Sequence, residues 1–258
     1  TELADSVRDL RIRQPSLFRM SDEDKRTWHE QQVRVPDNLV RLEAAIFHLE
    51  RLTKLTPDDT ELRLRFERYL AGRIPPRDSS APPHSLDLTR AYTEALNMFI
   101  WQEFNAIPRG RQRLAGTEFD IRGFIWPWRH AESFDPSPGF ARSFAVPVNQ
   151  KCRQIHFLHA TEGSTPEDGT LGGRWVIRYA DGTEREWPLH YGVQLRDWWW
   201  IQRDALEATE AVIAWRSQSD FPTRRLFKAT WSNPRPELEI ATLELRVGRT
   251  SQHPIVLA

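Results

Sequence analysis

The residues best suited to chemistry gather in one stretch, where Tyr191-Gly192 is followed by Arg196-Asp197-Trp198-Trp199-Trp200. Adjacent aromatic faces beside a charged pair can stack on a sugar ring while Arg196 and Asp197 hydrogen-bond its hydroxyls. The same pattern also suits a core, with alternate tryptophans turned inward and Arg196–Asp197 forming an ion pair that pins a loop. The candidate ligand-binding residues are therefore Tyr191, Arg196, Asp197, Trp198 and Trp199, joined by Trp126 and Trp128 from Phe124-Ile125-Trp126-Pro127-Trp128. On a strand, Trp198 and Trp200 share one face and Trp199 takes the other, so at least one ring is expected at solvent or an interface. Trp199 and the Arg196–Asp197 pair are expected to lie closest to any site.

Other constellations are weaker. His156 and His159 sit three apart in a strand-like run and point to opposite faces, so they cannot share one metal ion without a bend. His130 and His190 do not complete a dense ligand cluster, and no metal or other cofactor is expected. Asp120, Asp197, Glu118 and Glu186 are the carboxylates from which an acid–base pair could be drawn. Cys152 with a histidine is the one conceivable nucleophile pair, but it opens an apolar strand, where a thiol behaves as a small hydrophobe. The chain lacks a Gly-x-Ser-x-Gly elbow, a phosphate-cradling Gly-rich loop and a His-Glu-x-x-His motif. An enzyme is not the expected reading.

The elements that hold these residues come in two kinds. Of the 258 residues, 36 are basic and 36 acidic, which argues against a dedicated nucleic-acid surface. No stretch reaches the roughly 18 apolar residues of a membrane helix, and the N-terminus has no signal-peptide apolar region. With a single cysteine no internal disulfide forms, and the cytoplasm is the favoured compartment. The absence of an initiator methionine, and the apolar run Pro254-Ile255-Val256-Leu257-Ala258 at the end, suggest a piece of a longer protein. Only Trp28 of the eleven tryptophans precedes Trp101, so the aromatic core belongs to the later part.

The early part reads as helix. Ser21-Asp22-Glu23-Asp24 resembles a capping box, opening a helix to about Val33. Pro36-Asp37-Asn38 breaks it, and Leu39, Leu42, Ala45, Ile46, Leu49 and Leu52 recur at helical spacing. Thr56 as N-cap with Pro57 at the first helical position predicts a third helix, striped by Leu62, Phe66, Tyr69 and Leu70 and ended by Gly72. The proline-dense stretch from Ile74 to Pro83 reads as a linker. The organisation expected is a helical region at 1–73, a linker at 74–84 and a β domain at 85–258. In that domain the period falls to two in runs around 118–122, 153–158, 174–179, 183–189, 211–215, 225–231 and 238–245. Asp181-Gly182 predicts a type I′ hairpin turn. Strands without long intervening helices argue for an antiparallel sandwich, so the fold class is α+β in segregated parts.

Two resemblances add to this. The run from Trp28 through Ala44-Ala45-Ile46-Phe47-His48-Leu49-Glu50-Arg51-Leu52 to Thr56-Pro57-Asp58-Asp59 resembles a tetratricopeptide-type helix pair. Residues 85–258 resemble a galactose-binding-like, jelly-roll β-sandwich module of large multidomain proteins of planctomycete-type bacteria. There it follows kinase, WD-repeat or tetratricopeptide regions. The resemblance is carried by Ile107-Pro108-Arg109-Gly110, Gly116 to Gly123, Lys151 to Ala160, Tyr179-Ala180-Asp181-Gly182, Tyr191 to Trp199 and Leu226 to Pro236. It implies a non-catalytic recognition module near a C-terminus, docking on a protein partner or a neighbouring domain of the same chain. Carbohydrate binding is the alternative and glycan hydrolysis the third reading; no nucleic acid and no membrane insertion are expected. Buried tryptophans favour docking, whereas exposed tryptophan faces in a groove favour sugar.

Overall fold

The computed structural model describes residues 21–33, 39–96, 106–126, 143–163, 167–200, 204–218, 223–247 and 252–258. The chain divides into two compact units, Thr1–Arg73 and Ile74–Ala258.

The first unit is helical. In α1 (Asp22–Gln32) the Ser21 hydroxyl accepts the Asp24 N–H at 3.1 Å, and three acids occupy the first turn, as the positive end of the helix dipole favours. α2 (Leu39–Leu55) buries Leu42, Ala45, Ile46, Leu49 and Leu52, a stripe at three- and four-residue steps. The expected break at Pro36-Asp37-Asn38 lies outside the described residues. α3 (Thr60–Ala71) starts later than the sequence suggested. Thr56 still belongs to the end of α2, its N–H and hydroxyl both on the Leu52 carbonyl at 2.8 Å. Asp59 is the N-cap instead and accepts the Leu62 N–H at 2.9 Å. Gly72 ends α3 in the right-handed region, so it is needed for space and not for a left-handed turn. A Cβ there would press on the Tyr69 carbonyl at 3.2 Å and on Leu42.

The second unit is built of mostly antiparallel sheets. β5 (Ser143–Gln150), β12 (Ile240–Val247), β7 (Leu171–Tyr179) and β8 (Glu184–His190) form one sheet in that order. β10 (Ala211–Arg216), β11 (Thr223–Ser232), β6 (Gln154–Gly163) and β13 (Gln252–Val256) form the other, and β9 (Trp199–Trp200) adds to the start of β11. Val146, Trp175, Ile177 and Leu243 from the first sheet share one core with Phe157, Trp231 and Val256 from the second. That shared core gives the unit its sandwich-like build.

The five-stranded sheet is buried on its other face as well. Leu158, Ala160 and Leu226 pack there with Phe119, Ile121, Phe124, Trp126 and Trp198. Two small antiparallel pairs supply that cover: β2 (Gly110–Leu114) with β3 (Thr117–Ile121), and β1 (Glu94–Ala95) with β4 (Gly123–Phe124). Double burial explains why Ile155 to Leu158 alternates less cleanly than the strands of the outer sheet.

The turns differ from expectation. Between β7 and β8 the loop is Ala180-Asp181-Gly182, closed by the Tyr179 N–H on the Thr183 carbonyl at 2.9 Å. Of its residues only Gly182 has positive φ, at 83°, which fits a three-residue hairpin loop and not type I′. The two-residue turn of that kind joins β2 to β3, where Ala115 (φ 45°) and Gly116 (φ 77°) are both positive.

The proline-rich stretch read as a linker counts with the second unit, bonded along it. Arg122 donates to the Pro75 carbonyl at 3.2 Å, Gln150 to that of Pro83 at 2.9 Å, and Ile74 packs on the core. Arg122 is nearly enclosed and ties this strap down through Asp120 at 2.9 Å, Asp87 at 2.7 Å and the Thr89 hydroxyl at 2.8 Å. Burial pushes the Asp87 carboxyl up, but hydrogen bonds from Thr89 and Arg122 outweigh it and hold it at about 2.

Candidate functional site

The segment after β8 is held by backbone first. Tyr191 and Leu195 bridge across a tight turn in which Gly192 has φ 81° and the His190 carbonyl faces three successive N–H groups. The chain then runs beside β6: the Thr161 N–H donates to the Arg196 carbonyl at 3.0 Å and the Trp198 N–H to the Thr161 carbonyl at 2.8 Å. Arg196, Asp197 and Trp198 are thereby fixed to the centre of the sheet.

The Arg196 side chain joins an ion network that is buried except at Asp168, whose carboxylate is exposed. Arg196 donates to both carboxylate oxygens of Asp168, at 3.0 and 2.8 Å, to Asp204 at 2.7 Å and to the Glu207 carbonyl at 2.5 Å. Arg225, fully buried, donates to the second Asp204 oxygen, to the Asp197 carbonyl at 2.9 Å, and to the carbonyls of Ala205 and Leu206 at 2.6 and 2.7 Å. One carboxylate thus bridges two guanidinium groups, and every nitrogen of both is engaged. Such an arrangement repays the desolvation of charge only when it is complete. Arg196 also lies 5.3 Å over the Tyr191 ring. Burial and the Asp204 carboxylate together push the Tyr191 hydroxyl up to about 12. Gly192 sits under Asp168, whose carboxylate leaves no room for a Cβ.

The expected Arg196–Asp197 ion pair is not formed. Neighbours in an extended segment project to different sides, and Asp197 instead accepts the Trp199 N–H at 2.7 Å. Burial pushes the Asp197 carboxyl up to about 7, although that hydrogen bond and Arg225 pull the other way.

The tryptophans do not alternate as a single strand would have them. β9 begins only at Trp199, so Trp198 and Trp199 meet edge to face at 5.4 Å and both pack on the outer cluster with Trp126. Arg224 lies over both rings, 5.6 and 4.9 Å from their centres. Trp200 is half-buried, its ring nitrogen donating to the Asp204 carbonyl at 3.0 Å. Trp128 and His130 lie outside the described residues.

The remaining candidates are dispersed. His156 bonds Thr230 at 2.9 Å, whereas His159 is fully buried against the Gln194 carbonyl at 2.9 Å and is lowered to about 4 by burial. Asp120 serves Arg122, Glu118 serves Arg111, and Glu186 serves Arg174. Cys152 packs on the shared core, where burial pushes its thiol up and away from the reactive thiolate. Among the described residues no group of three or more His, Cys, Asp or Glu is placed to hold a metal ion.

Asp168, Asp204 and Arg225 were missed in the sequence. Arg225 had a signal: it shares the inward phase of β11 with Thr223, Phe227, Ala229 and Trp231. An arginine in phase with core residues demands a buried acid. Asp168 and Asp204 come from loops and carried no local sign. Compared with known proteins, the chain matches no protein-family model and no curated sequence.

Proposed function

We propose that Ile74–Ala258 is a galactose-binding-like sandwich serving as a non-catalytic recognition module, with α1–α3 as a tetratricopeptide-like companion. It docks on a protein partner or on a neighbouring domain of the same polypeptide. The observation that carries this reading is the state of the tryptophans. Among the described residues Trp126, Trp175, Trp198 and Trp231 are buried, and Trp28, Trp187, Trp199, Trp200 and Trp215 are half-buried. A sugar platform needs an open ring face beside free donors. Here Arg224 covers Trp198 and Trp199, and the donors of Arg196 are already spent on Asp168, Asp204 and Glu207. Carbohydrate binding is the second reading, resting on the half-buried edges of Trp199 and Trp200.

The full 258-residue chain tests both. Immobilised chain is expected to retain a protein saturably from bacterial lysate and to stay at background on a glycan array. Saturable glycan binding that is lost in a folded Trp199→Ala variant would replace docking by sugar recognition. Release of reducing ends from polysaccharide would make the chain a hydrolase.

A further inference from the structure

α1 has little to hold it in place. None of its side chains is fully buried, and only Lys25, Trp28 and His29 are half-buried. Its ion pairs stay within the helix, Lys25 on Asp22 at 2.9 Å and Arg26 on Glu30 at 2.8 Å. Among the described residues one hydrogen bond joins α1 to another element: His29 Nδ1 lies 2.8 Å from His48 Nδ1 of α2. Aromatic edges close round that contact. Trp28 meets the His48 ring edge to face at 5.2 Å, and His29 meets the Phe47 ring in the same manner at 6.4 Å.

A contact between two Nδ1 atoms has room for a single hydrogen. One ring donates its Nδ1–H, and the other accepts on a bare Nδ1 while its own hydrogen sits on Nε2. A first added proton goes to Nε2 of the donor ring and leaves the bond in place, now charge-assisted. A second proton has only the accepting Nδ1 to take, which sets two N–H groups head to head. We propose that His29 and His48 form a proton-operated latch: α1 stays on α2 while one hydrogen is shared, and the second proton releases it and bares Trp28 and Phe47. Nothing offsets that second charge. Burial and the Arg51 guanidinium of α2 lower His29, and burial and the His29 charge lower His48 to about 4. Arg51 itself lies over the Phe47 ring at 5.1 Å. Among the described residues no carboxylate acts on either imidazole: Glu30 serves Arg26, Glu50 serves Lys54, and Asp59 caps α3. The latch is therefore closed at pH 7. Each ring titrates at about 6.5 in an unfolded chain, so the hold on α1 is whole above that pH and is lost as pH falls toward 4. The steps belong to the pair and not to either ring alone.

Amide exchange of the full chain, corrected for the intrinsic rate at each pH, tests this. Protection of α1 is expected to fall by about tenfold or more from pH 7 to 4, while α2 and the strands of the second unit keep theirs. His48→Gln and His29→Gln retain a donor and an acceptor but take up no proton, so α1 stays equally protected across that range. Nitrogen shifts of the labelled imidazoles give a reading independent of the variants: at pH 7 one ring carries its hydrogen on Nδ1 and the other on Nε2. Protection of α1 unchanged down to pH 4, or lost only together with α2, overturns the proposal. So do Gln variants that open at the wild-type pH, and two imidazolium rings beneath a protected α1. Should both Gln variants be open already at pH 7, the wild-type nitrogen spectrum decides. Opening of α1 at the second proton upholds the latch, and opening at any other step overturns it.

Discussion

The second unit holds two sets of arginine–carboxylate pairs made from the same chemistry. On the open face of the four-stranded sheet, Arg174 meets Glu186 at 3.0 Å, while Arg178 meets Glu184 at 3.3 Å and Glu244 at 2.8 Å. Glu244 is mostly covered, but Arg174, Arg178, Glu184 and Glu186 are each about half exposed, so every pair has a partner in water, is screened and contributes little beyond solubility. In the Arg196–Asp204–Arg225 network the side chains are 4%, 3% and 0% exposed. There water cannot replace a lost partner. The comparison separates pairs that dress a surface from pairs on which the packing of loops 167–169 and 204–207 depends.

The sharpest way to break it is Asp204→Ala. This leaves two guanidinium groups buried without their shared carboxylate, and is expected to cost about 3–5 kcal/mol in chemical denaturation. A loss below about 1 kcal/mol would put the network on a par with the surface pairs.

Asp197→Asn sharpens the comparison by pH. The folded carboxyl titrates at about 7, against about 3.9 in an unfolded chain. It therefore contributes its full stabilising effect below pH 4, and loses it as pH rises to 7. His159 and His48, each held near 4 by burial, work in the opposite sense and destabilise the fold as pH falls from 6.5 to 4. Asparagine keeps an acceptor for the Trp199 N–H. The variant is expected to gain on the order of 2 kcal/mol at pH 8 and to lose stability more steeply on acidification. Parallel curves for the two proteins from pH 4 to 8 would refute the buried charge.

The turns give smaller effects. Ala115 in the left-handed region is strained, and Ala115→Gly is expected to raise stability by about 0.5–1 kcal/mol; an unchanged melting temperature would argue against the two-residue turn. Smallest of all, Arg174→Ala should shift stability by less than about 0.5 kcal/mol, with little response to salt; a loss of 2 kcal/mol would erase the distinction drawn between surface and interior.

Much of the fold was legible because its signals are local. Ser21 caps α1 because its hydroxyl reaches an N–H three residues on. The stripe of α2 and the two-residue period of β8 and β12 follow from one buried face apiece. β5 escaped notice although Phe144, Val146 and Val148 alternate, because Pro147 argues against a strand except at an edge, and edges are invisible in sequence. Thr56 and Asp59 are both good caps, and the choice fell to the carbonyl of Leu52, which keeps Thr56 in the preceding helix.

The amino-acid sequence by itself determined the segregation of helix from sheet, the strand periods and the density of aromatic residues beyond Trp101. Each of these rests on residues within a few positions of one another. Only the tertiary structure decided which acid each arginine meets and which ring faces water. Arg196 takes its carboxylates from 28 positions before and 8 positions after, and bypasses the aspartate beside it. An extended backbone sends neighbouring side chains to different sides, so charge pairing is settled by what the fold lays across the strand, not by what lies next along it.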